Sequence, residues 1–300
     1  MKRNFTLSFE VMPPRRPDSA PKFWECVDNL TKLHPDFLSV TFGAAGNDRS
    51  TALNVNEIIV RDTPILPIAH LTCVDTPSEQ VAQIVDDFLA VGVRTFLALR
   101  GDPPIEKAEF HRDLKQIESA AELTYLIRQI DKRRQRQNIA EKFKSIARPL
   151  VICVAAFPNG NPELGTNQDQ EIDRLLEKQD SGADFAITQL YYDSKVFDQF
   201  MSKCLKRGVS IPIIAGILPS WNVERLQRVK NSIKIAPSSG LVNRLNSAWS
   251  AEERERIGLD FWSAVSREAI SSGAVGVHLF SFNQAESAIL LANRLQDAIT

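Results

Sequence analysis

Two carboxylates in this chain sit where proton and charge chemistry is plausible. Glu10 closes an apolar run and precedes Val11-Met12-Pro13-Pro14-Arg15-Arg16. Burial there without a cation would raise its pKa and keep a proton available near neutrality, as a general acid requires, whereas pairing with Arg15 or Arg16 would make it structural. Asp102 follows Arg100-Gly101 and precedes Pro103-Pro104. It could be a turn residue bonded to its own backbone, or an ionised carboxylate beside a cationic intermediate. His70 reads either as a structural histidine or as a donor to a ligand, and the Gln189 amide can both donate and accept at the edge of a heteroaromatic ring. Arg174 and Lys178 stand one helical turn apart and could grip a diphosphate or pair with Glu171 and Glu177.

These residues need a scaffold that brings them together, and the hydrophobic pattern supplies one. Short β-rich runs recur at Phe5–Val11, Phe37–Phe42, Ile65–Leu71, Thr95–Leu99, Leu150–Ala156, Phe185–Leu190, Ile211–Ile217 and Val275–Phe280. Helical stripes lie between them, as in Phe23, Val27 and Leu30, in Val81, Ile84, Val85 and Phe88, in Val196, Phe200 and Cys204, and in Ile257, Phe261 and Val265. Thr76-Pro77-Ser78-Glu79 predicts a capping box opening the second of these helices, and Gly92 its end. Strand–helix alternation with nearly continuous apolar strands predicts an α/β fold, a parallel closed (β/α)8 TIM barrel with outer helices. An open doubly wound sheet is the other candidate, but no GxGxxG follows any predicted strand. In a barrel, the polar clusters that end successive runs all face one mouth.

Two stretches break the rhythm. Asp131 to Arg148 is basic and helix-prone, predicting a solvated helix extension, with a binding role as the alternative. Lys234 to Ala251 contains Pro237-Ser238-Ser239-Gly240 and carries no strong period beyond Leu241, Val242 and Leu245; lying between the seventh and eighth runs, it could cover a bound substrate.

Composition narrows the partners. Among 300 residues, 36 Lys and Arg nearly balance 37 Asp and Glu, so global charge points to neither nucleic acid nor an anionic membrane. Cys26, Cys73, Cys153 and Cys204 are scattered without metal-ligand spacing, predicting buried thiols and no metal site. The apolar run after Met1-Lys2-Arg3-Asn4 is broken by Glu10, and no stretch nears the roughly 20 residues that span a bilayer, which predicts a cytoplasmic protein.

The ordered clusters Ser-Phe-Glu (8–10), Val-Thr-Phe-Gly-Ala (40–44), His-Leu-Thr-Cys (70–73), Leu-Arg-Gly-Asp (99–102), Ala-Ala-Phe-Pro (155–158), Gly-Ala-Asp-Phe-Ala-Ile-Thr-Gln (182–189) and Gly-Ile-Leu-Pro (216–219) carry a family resemblance. Together they resemble methylenetetrahydrofolate reductase, in its bacterial form of a catalytic barrel without a regulatory domain. The resemblance implies one flavin-binding barrel over residues 1–300. It implies that FAD passes a hydride from NADH or NADPH to 5,10-methylenetetrahydrofolate in a ping-pong cycle, giving the methyl donor for methionine synthesis. Glu10 would assist opening of the folate five-membered ring, and Asp102 would stand beside the flavin and the resulting iminium. Gln189 would bind the pterin and arrange the nicotinamide, with Thr41 at the hydride-transfer face. The implied FAD positions are Thr41, Phe42, Ala44, His70, Arg100, Gly101, Asp102, Phe110, His111, Phe157, Asn161, Glu171, Arg174 and Lys178. Arg225 and Gln284 fall on the folate side with Glu10, Asp102 and Gln189.

Several positions depart from the family pattern. Phe157 stands where Tyr is common, Asn161 where His is common and Arg174 where Asn is frequent. Val229 replaces an aromatic residue near the aminobenzoate, and Gln284 replaces an Arg near the folate tail, losses that Lys or Arg residues between Arg225 and Arg244 could offset. The implied partners are folate and reduced nicotinamide, with no nucleic acid and no membrane, and with a homo-oligomer possible. Two other readings remain: a flavin-independent pterin-binding barrel that transfers a one-carbon group, and a non-catalytic binding barrel using the basic stretch around Arg133.

Overall fold

The computed structural model describes residues 4–42, 49–101 and 116–299. Its sheet is a closed barrel of eight parallel strands in sequence order: β1 (Thr6–Val11), β2 (Phe37–Val40), β3 (Leu66–Thr72), β4 (Thr95–Leu99), β5 (Val151–Ala156), β6 (Phe185–Thr188), β7 (Ile213–Ile217) and β8 (Gly276–Phe280). β8 closes on β1 through the Thr6–Gly276 to Glu10–Phe280 register. Each predicted run contains a strand, and the closed order excludes the doubly wound alternative.

The strands alternate between two apolar environments. Outward residues such as Leu7, Phe9, Leu38 and Val40, or Phe96, Ala98, Ile152 and Val154, pack beneath the helices in two clusters that divide the ring between them. Inward residues Phe37, Ile68, Leu97, Cys153, Ile187 and Ile214 fill the barrel itself. Gly216 is required in this packing, because a Cβ there would lie 2.1 Å from the Thr188 carbonyl oxygen and 2.8 Å from the Phe280 ring.

The outer helices are α1 (Ala20–Thr31), α2 (Arg49–Asp62), α3 (Ser78–Ala90), α4 (Ala120–Gln137), α5 (Ile139–Ala147), α6 (Gln168–Asp180), α7 (Ser194–Lys206), α8 (Val223–Ile233), α9 (Ser239–Asn246), α10 (Ala251–Ser271) and α11 (Ala285–Ile299). Most start on a side chain that satisfies a free backbone N–H, as Ser119 does for Glu122, Asn167 for Gln170 and Ser250 for Glu253. The expected capping box of α3 does not form. Its N-cap is Pro77, which has no side-chain acceptor, and the Thr76 hydroxyl donates instead to the Val74 carbonyl at 3.2 Å.

The two irregular stretches are largely helical. Asp131–Arg148 is not one extended helix: Asn138 leaves helical geometry and caps α5, which folds back on α4. Within 234–251, α9 buries Leu241 and Leu245 and packs chiefly on α8 and α10. All four cysteines are free and buried.

Candidate active site

Alternation along β1 points Leu7, Phe9 and Val11 outward and Ser8 and Glu10 into the barrel. The Glu10 side chain is 15% exposed, and its Oε2 lies 3.9 Å from His70 Nε2, too far for a hydrogen bond. Arg15 and Arg16 are exposed and do not pair with Glu10, which has no Lys or Arg partner among the described residues. Burial therefore acts unopposed and raises the Glu10 pKa to about 7. Burial also holds His70 neutral, with its pKa lowered to about 3. Its Nε2 is buried without a hydrogen-bond partner, so His70 is not a satisfied structural histidine.

A second histidine, unmarked in the sequence analysis, lies deeper. His278 on β8 bonds through Nδ1 to the Ser8 hydroxyl at 2.8 Å and through Nε2 to the Ser39 hydroxyl at 3.3 Å. Its ring stacks on Phe37 and meets Phe280 edge-on, with centroids 5.9 and 5.3 Å apart. Burial, helped by nearby His70, lowers its pKa to about 3. Thr41 completes this polar arc, and its buried hydroxyl also lacks a partner. The detectable signal was parity: Ser8, Ser39 and His278 occupy inward positions of strands whose outward positions are apolar.

The loop after β8 is tied to the Glu10 strand. Ser281 Oγ donates to the Glu10 carbonyl at 2.5 Å, and Asn283 exchanges two hydrogen bonds with the Met12 backbone. Beside them Arg225, in the first turn of α8, donates to Gln284 Oε1 and to the Ser281 carbonyl, and its guanidinium lies 5.0 Å from the Phe282 ring centroid. Arg225 is buried and meets no carboxylate among the described residues; burial, reinforced by Arg228, lowers its pKa. Val229 points into the outer core. On β6's exit, Gln189 Oε1 accepts from the Leu190 N–H at 2.8 Å, leaving its amide NH2 available.

The remaining implied cofactor positions spread around the β3–β6 side. Lys178 is buried, donates to the Ala155 carbonyl at 2.9 Å, and lies 5.6 Å from the Phe157 ring centroid. Burial lowers its pKa to about 8. Arg174 instead pairs with Glu171 at 2.9 Å, and that carboxylate also accepts from Thr166, so the salt-bridged alternative describes Arg174 but not Lys178. Asn161 Oδ1 accepts from the Glu163 N–H within its own turn. Phe42 packs edge-on against Phe88 in the outer core. The Arg100 carbonyl accepts from the Cys73 and Val74 N–H groups, and Gly101 has φ +87°, where a side chain would be strained. Ala44, Asp102, Phe110 and His111 lie outside the described residues.

The fold and these groups define a (β/α)8 barrel with a protonatable carboxyl group and unsatisfied polar atoms toward the carboxyl ends of its strands, where barrel enzymes carry their chemistry. The methylenetetrahydrofolate reductase family profile matches residues 1–296, and the chain belongs to that family. It is 28% identical over 300 residues to the 5,10-methylenetetrahydrofolate reductase of Pectobacterium carotovorum, covering 98% of this chain and 91% of the relative. With the Escherichia coli enzyme of the same name it shares 27% over 296 residues, covering 96% and 90%. An Arabidopsis thaliana relative, methylenetetrahydrofolate reductase (NADH) 1, is 28% identical over 94% of this chain, which spans only 47% of that longer protein. Among solved structures, a dihydropteroate synthase from Coxiella burnetii shares the fold at TM-score 0.50 and 10% identity, covering 98% of this chain and 93% of that one. The family makes this chain an oxidoreductase of folate chemistry, and no helix among the described residues is long and apolar enough to cross a membrane.

Proposed function

We propose that this barrel, as one catalytic domain, reduces 5,10-methylenetetrahydrofolate to 5-methyltetrahydrofolate using FAD and NADH or NADPH in a ping-pong cycle. The observation that carries the reading is Glu10: a buried carboxyl group at a strand end, without a cationic partner among the described residues and with a pKa near 7. Such a group holds a proton at neutral pH and can give it to a ring nitrogen as the folate five-membered ring opens.

The described residues fit a flavin. Thr41 Oγ1 and His70 Nε2 are buried polar atoms lacking partners, which a heteroaromatic ring with donors and acceptors would satisfy. Lys178 is a buried ammonium with a single carbonyl partner, suited to a phosphate oxygen, and Arg174, half-committed to Glu171, has donors to spare. Thr41, His70, Arg100, Gly101, Phe157, Arg174 and Lys178 would hold the group, with Asp102 as the ionised carboxylate beside it. When bound, FAD supplies the redox chemistry, with hydride received from reduced nicotinamide and passed to the one-carbon unit.

The chain's own residues do the rest. Glu10 delivers the proton, with neutral His70 beside it unable to quench its acidity by ion pairing. The Gln189 NH2 reads the pterin edge. Arg225, aimed by Gln284 and Ser281, offers the cation for the folate glutamate carboxylate that position 284 no longer supplies. The departure at Gln284 is thereby offset from the first turn of α8.

Anaerobic stopped-flow tests the proposal, with the purified protein mixed first with NADH or NADPH and then with methylenetetrahydrofolate. Bleaching of a bound yellow chromophore followed by its return on folate addition is the expected result. Persistent failure to bind FAD would overturn the cofactor assignment and favour the flavin-independent barrel.

A further inference from the structure

Helix α5 is amphipathic with its faces reversed. Ile139, Phe143 and Ile146, spaced to share one face, are 69%, 66% and 67% exposed. Its Glu141 and Ser145 face the protein instead. Glu141 is buried between Arg134 and Lys144, and Ser145 accepts hydrogen bonds from Arg94 and Gln135, both of which also bond Asp131. This network fixes the orientation, since turning the apolar face inward would strip partners from the buried Arg94–Asp131 pair and from Glu141. The exposed stripe is thus held outward by polar contacts.

Cations line its edge. Lys132, Arg136 and Lys142, with Ile139 and Gln135, line an open cleft of about 430 Å³. Arg148 is exposed just beyond the last turn. None of these four forms an ion pair among the described residues. The neighbouring acidic groups, Asp86 and Glu141, are already engaged by Arg133, Arg134 and Lys144. A near-zero global charge therefore conceals a local basic and apolar ridge.

The ridge lies at the amino-terminal end of the strands. Arg94, which bonds the Arg148 carbonyl at 2.8 Å, immediately precedes β4, and α5 leads directly into β5. Glu10, Gln189 and Arg225 belong to the opposite end.

We propose that α5 is a docking helix for an anionic bilayer surface. Ile139, Phe143 and Ile146 enter the boundary between headgroups and acyl chains, and Lys132, Arg136, Lys142 and Arg148 pair with lipid phosphates. Weak apolar insertion and a polybasic patch are the two signals that together hold a peripheral protein on a membrane. Charge argues against a second copy, because apposing two such faces would gather eight unpaired cations around the contact. The apolar stripe argues against nucleic acid. The active-site mouth, at the other end of the barrel, stays open to solvent when α5 is bound.

Flotation with phosphatidylcholine vesicles, with and without phosphatidylglycerol, tests this on the full chain. The wild-type protein should float with the anionic vesicles and be released by high salt. Phe143→Ser with Ile146→Ser, and separately Arg136→Glu with Lys142→Glu, should each weaken binding about tenfold or more while turnover and thermal melting stay unchanged. No flotation, equal flotation on neutral vesicles, or variants that bind like wild type would overturn the proposal. So would sedimentation showing a lipid-free dimer that the Phe143→Ser, Ile146→Ser variant dissolves, which would make the stripe a contact between copies of this chain.

Discussion

The interior of this barrel has two unlike arcs. Across β8, β1, β2 and β3 the inward side chains include the polar His278, Ser8, Glu10, Ser39, Thr41 and His70 beside the apolar Phe37 and Ile68, and two of the buried polar atoms have no partner. Across β4 to β7 they are Leu97, Leu99, Cys153, Phe185, Ile187 and Ile214, an apolar packing with no proton to exchange near neutrality. Both arcs are equally buried and built on the same strand geometry. The difference teaches that burial is the shared cause: it packs one arc and, in the other, pushes carboxyl and imidazole pKa values in opposite directions.

The strongest test of the contrast is Glu10→Gln. The folate half-reaction should slow by about 10²- to 10⁴-fold, with flavin reduction by nicotinamide nearly unchanged in stopped-flow. Survival of both half-reactions at full rate would erase the functional distinction between the arcs.

Acid stability comes next. Burial depresses His70 and His278 to about 3 from an ordinary 6.5, so the unfolded chain takes up protons that the folded one refuses. Their contribution is fully present above about pH 6.5 and is lost as pH falls toward 3, on the order of 4 kcal/mol for each histidine. Glu10 has the opposite sign. Its raised pKa costs nothing below pH 4.5 and most above about pH 7, so Glu10→Gln should be neutral in acid and stabilising at alkaline pH. Denaturant melts across this range should show both slopes, and His278→Asn should flatten the acid limb.

A smaller effect belongs to the rim. Arg225→Gln should raise KM for methylenetetrahydrofolate about tenfold with little change in kcat, as expected for loss of a charge-assisted contact remote from the reacting atoms. An unchanged KM would remove Arg225 from the folate site. Smallest of all, Ile187→Val in the apolar arc should cost about 1 kcal/mol of stability, read by denaturant midpoint, and leave both half-reactions intact. A kinetic defect there would mean that the arcs are mechanically coupled.

Much of this contrast was legible in the residues themselves. Apolar runs located all eight strands to within about two residues at most ends, because a strand buried on both faces must be apolar almost throughout. Glu10, His70 and Gln189 stood out as polar exceptions at those ends. His278 did not, since one histidine inside Val275–Phe280 looks like any buried residue until Ser8 and Ser39 are brought to its two nitrogens. The Thr76 capping box failed because local pattern could not anticipate that the hydroxyl would turn to Val74.

By itself, then, the sequence determined the strand–helix alternation, the parity of each strand and the chemical types at the strand ends, all local properties of covalent order and hydrophobic period. Tertiary structure alone decided which of those residues meet. Parallel register across β1, β2 and β3 brings Glu10 to His70, and the loop after β8 delivers Gln284 to Arg225. It also decided which face of α5 points inward. An amphipathic period fixes only that a helix has two faces, whereas the buried Arg94, Asp131 and Glu141 network, built from distant segments, selects the polar one.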